Sequence, residues 1–411
     1  MGKKKKKYYW QRGEDLPDID DHSLVKLEII EEYLAIYLRV LTQNCKMDSL
    51  KLTIVDGFSG GGLYKGNVEG SPLRILKTIN AEKAAINTRR LINKCREINF
   101  DITTHLIELE KPHCEFLKYT LQERDYDLRS GAITLTNSDF SSRLDSLIKS
   151  IKAKSRTHRA IFVLDQYGYI DAPITDIRRI FWNLQNAEVI LTFSMDSLID
   201  YLSEQSTDLL AKLGLSKIDI ERILDERQDT TFSRAKLQPV LFESIVNRAG
   251  AHYYTPFFIA SDKTNRAYWL FHFSSHTRAR NEMMKLHWSK QNTFQHFGGA
   301  GLNMLLGYTS GNRNLLYDFS LFSREQSLDL LQEQVPKKIY EKKELTFKDL
   351  KNEIINSTPA TEEMIKESLT EAIRQKDIIV TSKRKVIRHK GTTIKDDDLI
   401  ARSHTTQPKL F

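Results

Sequence analysis

The sequence predicts an α/β protein with a doubly wound, seven-stranded sheet that ends in an antiparallel hairpin, followed by a small α+β winged helix. Between residues 52 and 193, short apolar segments alternate with amphipathic segments, which is typical of parallel strands joined by helices. Two aromatic-rich segments, Tyr253–Ile259 and Tyr268–Phe273, flank the turn-forming residues Ser261–Arg266 and predict the hairpin. Beyond Pro336, two capped helical segments precede two short strands around a basic turn.

The strands and helices of the large domain follow from periodicity and turn residues. A first helix is predicted at 22–41, because leucine and isoleucine recur there at intervals of three and four residues. Pro72 and Pro112 each stand in the first turn of a helix, where a missing N–H is tolerated. Ala160–Leu164 is an unbroken apolar run, as expected for a central strand covered on both faces.

The predicted strands are Leu52–Val55, Ile102–Ile107, Ala132–Thr136, Ala160–Leu164 and Glu188–Phe193. The predicted helices after the first four of these strands are 71–79, Pro112–Leu121, Leu144–Ile151 and Ile174–Leu184. Residues 197–248 are predicted to be a mainly helical insertion before the hairpin.

Two threonines placed as helix caps predict the winged helix. Thr346 and Thr361 each precede an amphipathic segment, and threonine favours this position because its hydroxyl accepts a hydrogen bond from the first turn. The predicted elements are the helices Arg324–Gln334, Phe347–Asn356 and 362–375 and the strands Ile378–Val380 and Val386–Arg388.

The chain of 411 residues is long enough for one large domain and a smaller one. We predict a basic N-terminal tail at 1–21, the α/β domain at 22–322, the winged helix at 323–395 and a disordered tail at 396–411. No apolar run approaches the roughly 20 residues that span a bilayer, so no membrane association is expected.

The formal net charge of +8 favours a polyanionic partner such as nucleic acid. A basic run, Lys3–Lys7, precedes Tyr8, Tyr9 and Trp10. This combination suits nucleic acid, because cations contact phosphates while aromatic rings stack on bases. The alternative is a disordered tail that only adds solubility. No apolar segment follows the lysines, so the run is not expected to be a secretory signal.

The three cysteines, Cys45, Cys95 and Cys114, lie far apart and form no C-x-x-C pair. This spacing predicts neither a disulfide framework nor a cysteine metal site, and it fits the reducing environment of the cytoplasm. His272 and His276 are four residues apart in a predicted strand, which separates them too widely for a shared metal ion. No metal site is therefore expected.

A glycine-rich loop follows the first predicted strand. The strand ends at Asp56, and the loop contains Gly57, Phe58, Gly60 and Gly62. A carboxylate at the end of a strand beside bare backbone suits a nucleoside-bearing cofactor. The D-x-F-x-G-x-G order resembles the S-adenosylmethionine site of methyltransferases, and the predicted sheet resembles their Rossmann-like sheet. In such a site, Asp56 holds the ammonium group of the methionine part directly or through water, glycine N–H groups hold its carboxylate, and Phe58 packs on the cofactor. The alternative role for Asp56 is a helix or loop cap.

Acidic residues also follow the second and third strands. Glu108 is expected to accept hydrogen bonds from both ribose hydroxyls, with Glu110 as a competing candidate two residues further on. Asp139 can meet the adenine amino group, and Phe140 can stack on the adenine ring. The alternative role for Asp139 is the N-cap of the helix that follows, a position that aspartate fills well.

The fourth strand is followed by Asp165-Gln166-Tyr167-Gly168, at the position of the substrate-facing loop of methyltransferases. Enzymes that methylate exocyclic amines carry Asp/Asn-Pro-Pro-aromatic there, so that the first side chain accepts the amine hydrogens and the ring stacks on an extruded base. Asp165 and Tyr167 are therefore the candidate catalytic residues. Gln166 and Gly168 depart from that motif, which weighs against amine methylation.

Together these motifs are similar to those of the bacterial three-Cys-motif partner proteins. The matching residues are His22, Lys26, Asp56–Gly60, Tyr64, Gly70–Pro72, Glu108 and Leu164–Gly168. The resemblance covers about His22 to Trp288, and the C-terminal part resembles the winged helix of some members. It implies a methyltransferase-like fold, a link to mobile elements, and a separate iron–sulfur, radical-type partner that carries the three cysteines.

Two residues of this resemblance leave alternatives open. Members of the family have a proline where this chain has Gln166, so a rigid substrate loop is not assured by the sequence. Lys26 can face the cofactor carboxylate or a substrate phosphate, or it can lie on a solvated face of the first helix.

Two functional hypotheses result. The first is an S-adenosylmethionine-dependent methyltransferase that acts on nucleic acid together with a partner protein, with the winged helix helping to dock the substrate. The second is a non-catalytic regulatory module that binds cofactor or nucleic acid. The departures at Gln166 and Gly168 favour the second, and retention of cofactor binding without methyl transfer in Asp165→Ala would identify Asp165 as catalytic.

The predicted winged helix has two oppositely charged parts. Its second helix carries Glu362, Glu363, Glu367 and Glu371, which would repel phosphates in a major groove. We therefore expect the wing to contact the nucleic-acid backbone, or the helix to contact protein. The candidate nucleic-acid contacts of the wing are Lys383, Arg384, Lys385 and Arg388.

Overall fold

The computed structural model describes residues 8–202, 206–228, 234–260, 267–290, 295–296, 302, 317–318 and 321–403. The chain divides into two compact units, Met1–Glu282 and Met283–Phe411. The division falls earlier than the predicted boundary at 322, so the predicted α/β domain extends into the second unit.

The first unit contains one mostly parallel sheet of seven strands within its described residues, which confirms the predicted fold. Its strands are β1 (Ser49–Asp56), β2 (Leu63–Tyr64), β3 (Val68–Glu69), β4 (Asn99–Glu108), β5 (Ile133–Asn137), β6 (Ala160–Leu164), β7 (Ala187–Phe193), β8 (Tyr253–Ala260) and β9 (Ala267–Ser274). β2 and β3 form a separate hairpin, and the others lie in the order β8-β9-β7-β6-β1-β4-β5. β9 is antiparallel to both β7 and β8, which is the predicted terminal hairpin. Its predicted turn at 261–266 lies outside the described residues.

Helices connect and cover these strands. They are α1 (Asp21–Leu41), α2 (Ser71–Ile92), α3 (Lys111–Glu123), α4 (Phe140–Lys154), α5 (Ile174–Asn183), α6 (Met195–Tyr201), α7 (Thr207–Lys212), α8 (Lys217–Gln228) and α9 (Arg234–Ala249). The division between the two units falls within the next helix, α10 (Thr277–Ser289). α1 packs on α2, whereas α5 packs on α4 and α9, because right-handed crossovers on the two sides of β1 place helices on opposite faces. Within the described residues, no helix has the length and apolar character needed to cross a bilayer.

The strand register brings acidic residues from three strands to one edge of the sheet. β1 pairs in parallel with β4 and β6, and Asp56 lies beside Leu106 and Val163. Glu108 and Asp165 each follow two residues later, so all three carboxylates converge at the carboxyl ends of the strands. This is the switch point of the winding, where open α/β sheets bind ligands.

Residues 8–20 are not the free tail predicted for 1–21. Trp10 is only 5% exposed, and its ring lies against the backbone of Gly60 and Gly61. Glycine leaves room for an indole at this distance, which allows an aromatic segment to pack on the loop. The basic run before this segment lies outside the described residues.

A second correction concerns the cysteines. Cys45 and Cys95 form a disulfide between the loops that follow α1 and α2, although they are 50 residues apart in the sequence. Arg90, which is buried, holds these two loops together. Its guanidinium donates hydrogen bonds to the carbonyl oxygens of Thr42, Asn44, Cys45, Met47 and Arg96. The cysteine content therefore no longer argues for a reducing compartment.

The second unit contains the winged helix. Its elements are β10 (Gln295–His296), β11 (Tyr317–Asp318), α11 (Leu321–Lys342), β12 (Glu344–Thr346), α12 (Phe347–Ile354), α13 (Glu362–Arg374), β13 (Ile378–Thr381), β14 (Ile387–Arg388) and β15 (Leu399–Arg402). β10 pairs with β11, and the other strands form a sheet in the order β12-β15-β13-β14. Thr346 and Thr361 cap α12 and α13 as predicted, by accepting hydrogen bonds from the N–H groups of Asp349 and Met364.

The predicted disordered tail at 396–411 is wrong for its first part. β15 lies between β12 and β13, and Ile400 is completely buried in the core of the second unit. Asp398, which belongs to the acidic run that indicated a tail, is buried and paired with Arg388. The acidic run is therefore a turn that leads into a central strand.

Candidate functional site: a cleft at the carboxyl edge of the sheet

A cleft of about 620 Å³ opens at the carboxyl edge of the sheet in the first unit. Its size is within the range of roughly 300–1,000 Å³ that is typical of small-molecule sites. The predicted site residues that line it are Gly57, Phe58, Gly60, Glu108, Asp139, Phe140, Asp165 and Tyr167. Two other predicted residues of the described chain, Asp56 and Gly62, are not part of the lining.

Asp56 lies behind the wall of the cleft and is completely buried. Its Oδ2 accepts a hydrogen bond from Ser71 Oγ at 2.7 Å, and its Oδ1 accepts one from Phe58 N at 3.2 Å. Burial raises the pKa of the Asp56 carboxyl to about 7, despite these two hydrogen bonds. The side chain thus joins the glycine loop to the start of α2. These contacts match the alternative role of a loop cap, and the contact with the ammonium group of a cofactor stays a prediction.

Two N–H groups of the glycine loop are already hydrogen-bonded within the protein. Gly57 N donates to Val163 O at 2.9 Å, and Gly60 N donates to Glu108 Oε2 at 2.8 Å. These groups are therefore not available to a ligand carboxylate. Gly57 permits close packing instead, because a Cβ there would lie 2.6 Å from the side chain of Leu164.

Glu108 is buried at the wall of the cleft, with part of its carboxylate already hydrogen-bonded. Its Oε1 accepts from Glu110 N at 2.8 Å, while Oε2 binds Gly60 N. His113 Nδ1 lies 3.5 Å from Oε1. A carboxylate has about four acceptor positions, so Glu108 can still accept hydrogen bonds from ribose hydroxyls. Glu110 lines the cleft as well, and both candidates remain.

Asp139 has the predicted capping role and also lines the cleft, while its contact with adenine stays a prediction. It is the N-cap of α4 and accepts a hydrogen bond from Ser142 N at 2.8 Å, which lowers the pKa of its carboxyl. The same residue lines the cleft. Phe140 is 1% exposed and its ring centroid lies 6.1 Å from that of Phe58. The two rings form an apolar wall against which an adenosine can pack.

An ion pair in the cleft was not predicted. Lys26 Nζ lies 2.6 Å from Asp165 Oδ1, and both side chains are largely buried. Lys26 belongs to α1 and Asp165 follows β6, so 139 residues separate them in sequence. Lys26 therefore does not lie on a solvated helix face. Sequence reasoning identified both residues but could not reveal that they are partners.

Gln166 stabilises the loop in which a proline was expected. Its Oε1 accepts hydrogen bonds from the N–H groups of Asp171 and Ala172, both at 3.0 Å. The side chain is 2% exposed, so these bonds are protected from water. The loop after β6 is thus held by an amide rather than by the restricted backbone of proline.

The N-terminal segment adds an aromatic wall to the cleft. The ring of Tyr64 lies 5.6 Å from that of Tyr8 and 5.3 Å from that of Trp10, and Tyr8 is 6.3 Å from Tyr167. Tyr8 and Trp10 are therefore packed against the loops of the site and do not form a separate stacking surface. In the sequence, the clustering of these aromatic residues draws attention to the segment, but it was interpreted as part of an N-terminal tail.

The side chains that line the cleft carry a net negative charge. Among the described residues, five carboxylates face one ammonium group, that of Lys26, and one imidazole, that of His113. The acidic residues are Glu108, Glu110, Asp139, Asp165 and Asp171. A lining of this sign favours a ligand with net positive charge and repels free phosphate groups.

In the winged helix, the acidic residues of α13 are paired within the second unit. Glu362 contacts Lys351 and Lys366, and the pKa of its carboxyl is lowered because these hydrogen bonds outweigh burial. The other pairs are Glu363–Lys285, Glu367–Arg324 and Glu371–Arg374. The chain after the wing also covers α13, since a Cβ at Gly391 would lie 1.8 Å from the carbonyl oxygen of Lys366.

The candidate nucleic-acid-binding residues of the wing differ in whether the structure pairs them with a carboxylate. Lys383 Nζ lies 2.8 Å from Asp397, and Arg388 Nε lies 2.8 Å from Asp398. Arg384 and Lys385 are exposed in the turn between β13 and β14. These two residues are therefore the stronger candidates for contacts with phosphate.

The histidines considered for a metal site have other contacts. His272 Nε2 lies 3.0 Å from Glu188 Oε2, and His276 Nε2 lies 2.6 Å from Asn186 Oδ1. Within the part of the chain that the structure describes, no group of three histidine, cysteine or acidic side chains is placed to hold a metal ion.

Comparison with known families matches only the C-terminal part of the chain. Residues 307–384 match the family described as GMT-like wHTH domain. The match agrees with the winged helix seen in the second unit. No curated protein matches the chain.

Solved structures match more than half of the chain, but only at low similarity. Protein LPL1258 from Legionella pneumophila is 10% identical, with a TM-score of 0.36, over 65% of this chain and 90% of its own. The protein yhhF from Escherichia coli is 13% identical, with a TM-score of 0.28, over 65% and 99%. Human methyltransferase 10 domain containing protein is 11% identical, with a TM-score of 0.31, over 60% and 82%. Likenesses at this level carry nothing about activity.

Proposed function

We propose that this chain is an S-adenosylmethionine-dependent methyltransferase that acts on nucleic acid together with a partner protein. The observation that carries the proposal is the cleft at the switch point of the sheet, with its acidic lining and aromatic walls. S-adenosylmethionine carries a sulfonium, an ammonium and a carboxylate, so its net charge is positive. The lining has the opposite sign.

The residues of the cleft fit this cofactor in separate places. Glu108 can accept hydrogen bonds from the ribose hydroxyls, and Phe58 and Phe140 can pack against the adenosine. Asp139 lines the same cleft and has a second carboxylate oxygen to offer to the adenine amino group. When bound, the cofactor supplies an electrophilic methyl group, and the protein contributes mainly by placing the acceptor next to it.

Nucleic acid as the substrate is supported by charge. The chain has a formal net charge of +8, and Arg384 and Lys385 are exposed on the wing. Cations of this kind bind the phosphate backbone without reading sequence. The resemblance to three-Cys-motif partner proteins adds a radical-type iron–sulfur protein as the proposed partner.

Calorimetry with S-adenosylmethionine tests the proposal. The native chain should bind the cofactor, and Glu108→Ala should weaken binding by about tenfold or more, because a charged acceptor of two hydroxyl hydrogen bonds is lost. Glu115→Ala is a matched control, since Glu115 lies on α3 with its side chain 65% exposed and outside the cleft. Thermal melting of each variant checks that the fold is retained.

The outcomes separate the two functional hypotheses. Absence of cofactor binding by the native chain would contradict the methyltransferase proposal. Cofactor binding without methyl transfer to any nucleic acid would favour the non-catalytic module. The loop after β6 favours this second candidate, because Gln166 and Gly168 depart there from the motif of amine-methylating enzymes.

A further inference from the structure

The position of the ion pair between Lys26 and Asp165 suggests that the pair takes part in chemistry. Nζ and Oδ1 are 2.6 Å apart, and the two side chains are 7% and 18% exposed. A buried ion pair is weak evidence for a role in stability, because removing two charges from water costs about as much as their attraction contributes. This pair lines the cleft at the edge where the sheet binds ligands.

Neighbouring rings hold the lysine in place. The ring of Tyr268 lies 5.6 Å from Lys26 Nζ, and His22 stacks on that ring with centroids 4.6 Å apart. Within the described part of the chain, the second carboxylate oxygen of Asp165 makes no hydrogen bond. The pair thus presents a fixed donor and an open acceptor side by side.

We propose that the methyl acceptor is a hydroxyl group held between Lys26 and Asp165, and that in a nucleic-acid substrate it is the ribose 2′-hydroxyl of RNA. The proposal rests on the proposed function, since it requires a methyl-sulfonium donor in the same cleft. It adds the acceptor atom, oxygen, and the substrate class, RNA.

A hydroxyl oxygen matches this pair better than an amine nitrogen does. It has one hydrogen to donate to Asp165 and two lone pairs, so that one lone pair accepts from Lys26 while the other attacks. An exocyclic amine has a single lone pair on its nitrogen. A lysine N–H directed at that nitrogen would occupy the electrons needed for the attack.

The transfer is balanced without any further reactant. The hydroxyl oxygen forms a bond to the methyl carbon, while the carbon–sulfur bond breaks and its electron pair stays on sulfur. The hydroxyl proton moves to Asp165 and from there to solvent, and Lys26 stabilises the negative charge that develops on the oxygen. The products are a methyl ether, a neutral thioether and a proton.

The surroundings of the pair favour RNA over DNA. The 2′-hydroxyl is the group by which a protein distinguishes the two at a given site. Tyr167 is 70% exposed and follows Asp165 by two residues, so its ring can stack on the base of the same nucleotide. The acidic lining repels phosphates, so the ribose edge is the part of the strand that can enter.

Measurements of cofactor affinity test whether Lys26 and Asp165 hold the methyl acceptor or bind the cofactor. Lys26→Met and Asp165→Asn should bind S-adenosylmethionine within about threefold of the native chain. If Lys26→Met instead weakens binding of S-adenosylmethionine but not of 5′-methylthioadenosine, which lacks the carboxylate, Lys26 belongs to the cofactor site and the proposal is wrong. Lys154→Met and Asp101→Asn are matched controls, because Lys154 and Asp101 form a similar pair at 2.8 Å outside the cleft. Lys26→Arg keeps the charge if the methionine variant is unstable.

RNA binding gives a readout that does not depend on turnover. Fluorescence anisotropy compares an RNA pool of random sequence with a 2′-O-methylated pool of the same length, without cofactor. The unmodified RNA should bind about tenfold more tightly, and Asp165→Asn should remove this difference, because the hydroxyl no longer meets a charged acceptor. Equal affinity of the native chain for the two pools would contradict the proposal.

Methyl transfer then identifies the acceptor. With radiolabelled S-adenosylmethionine, label should enter the RNA pool as 2′-O-methylnucleosides and should not enter DNA. Transfer should fall about 100-fold in Lys26→Met and Asp165→Asn but not in the two controls. Label on DNA or on a base would overturn the proposal, and so would a bound cofactor without transfer to RNA. Failure of the native chain to bind the cofactor would instead contradict the proposed function.

Discussion

Asp56 is a buried carboxyl whose titration should be visible in the stability of the fold. Its folded pKa of about 7 lies above the ordinary value of 3.8, because burial disfavours the charged form. The folded state therefore binds the proton more tightly, and the stabilisation is lost as the pH rises toward the folded pKa. The free energy of unfolding should fall by about 2–3 kcal/mol between about pH 5 and about pH 8 through this group alone.

Asp56→Asn tests this assignment, because the amide keeps the shape but does not titrate. Urea unfolding followed by circular dichroism should show a weaker pH dependence in the variant than in the native chain. Asp145→Asn is the control, since Asp145 is 74% exposed. Parallel pH profiles for the native chain and Asp56→Asn would mean that Asp56 does not have a raised pKa.

Gly61 has no Cβ, and this leaves room for the ring of Trp10 in the aromatic wall of the cleft. A Cβ there would lie 2.2 Å from Trp10 Cγ, and the ring has no way to avoid this contact without leaving its place. Gly61→Ala should therefore lower the free energy of unfolding by about 1–3 kcal/mol and shift tryptophan emission to longer wavelength. Gly168→Ala is the control, since nothing lies within 4 Å of its added Cβ. Equal melting and emission of the two variants would place Trp10 elsewhere.

At the scale of residues, the sequence predicted positions better than partners. Glu108 and Asp139 were expected in the cleft because each follows a strand, and parallel strands end at one edge. Asp56 follows the same rule, yet Ser71 and the loop backbone take up its carboxylate. The contact with Ser71 depends on a side chain that meets Asp56 only after folding, which no local pattern records.

The loop after β6 is an element whose order should depend on one side chain. Gln166→Ala leaves the N–H groups of Asp171 and Ala172 without their acceptor. Hydrogen exchange measured by mass spectrometry should become about 10–100-fold faster at these two amides. Gln166→Glu retains an acceptor oxygen and should exchange more slowly than the alanine variant. Unchanged exchange in Gln166→Ala would show that other contacts hold the loop.

β15 is a strand that the sequence did not predict. It was assigned to a tail because three aspartates precede it, and a strand of four residues has too little periodicity to outweigh that composition. The pairing that stabilises it comes from β12 and β13, which precede it by many residues. The helices of the winged helix were predictable because their caps and apolar spacing are local.

Truncation distinguishes a strand from a tail. A chain ending at Asp398 loses β15 and with it Ile400, which is completely buried. Loss of that side chain alone should cost about 2–5 kcal/mol, so the second unit should melt at lower temperature or without cooperativity. A chain ending at Ser403 keeps the strand and serves as the control. Identical melting curves for the two truncated chains would contradict the central position of β15.

At the scale of the whole molecule, the net charge of +8 is not a uniform property. The cleft of the first unit is acidic, while α13 of the second unit has its carboxylates paired with lysine and arginine. Nucleic acid would therefore be attracted by exposed cations outside the cleft. The backbone at Gly391 packs closely on α13, which also argues against insertion of this helix into a major groove.

The salt dependence of RNA binding measures the contribution of the wing. Each phosphate contact with a single strand adds about 0.7 to the slope of log affinity against log salt, so Arg384→Glu with Lys385→Glu should reduce the slope by about 1.4. The matched control is Lys337→Glu with Lys338→Glu on α11, which makes the same change in net charge away from the wing. A labelled poly-uridine RNA serves as the ligand for anisotropy titrations. Loss of specific phosphate contacts would reduce the slope only in the wing variant. If both double variants reduce the slope equally, the change in net charge is the cause, and the wing makes no specific contact.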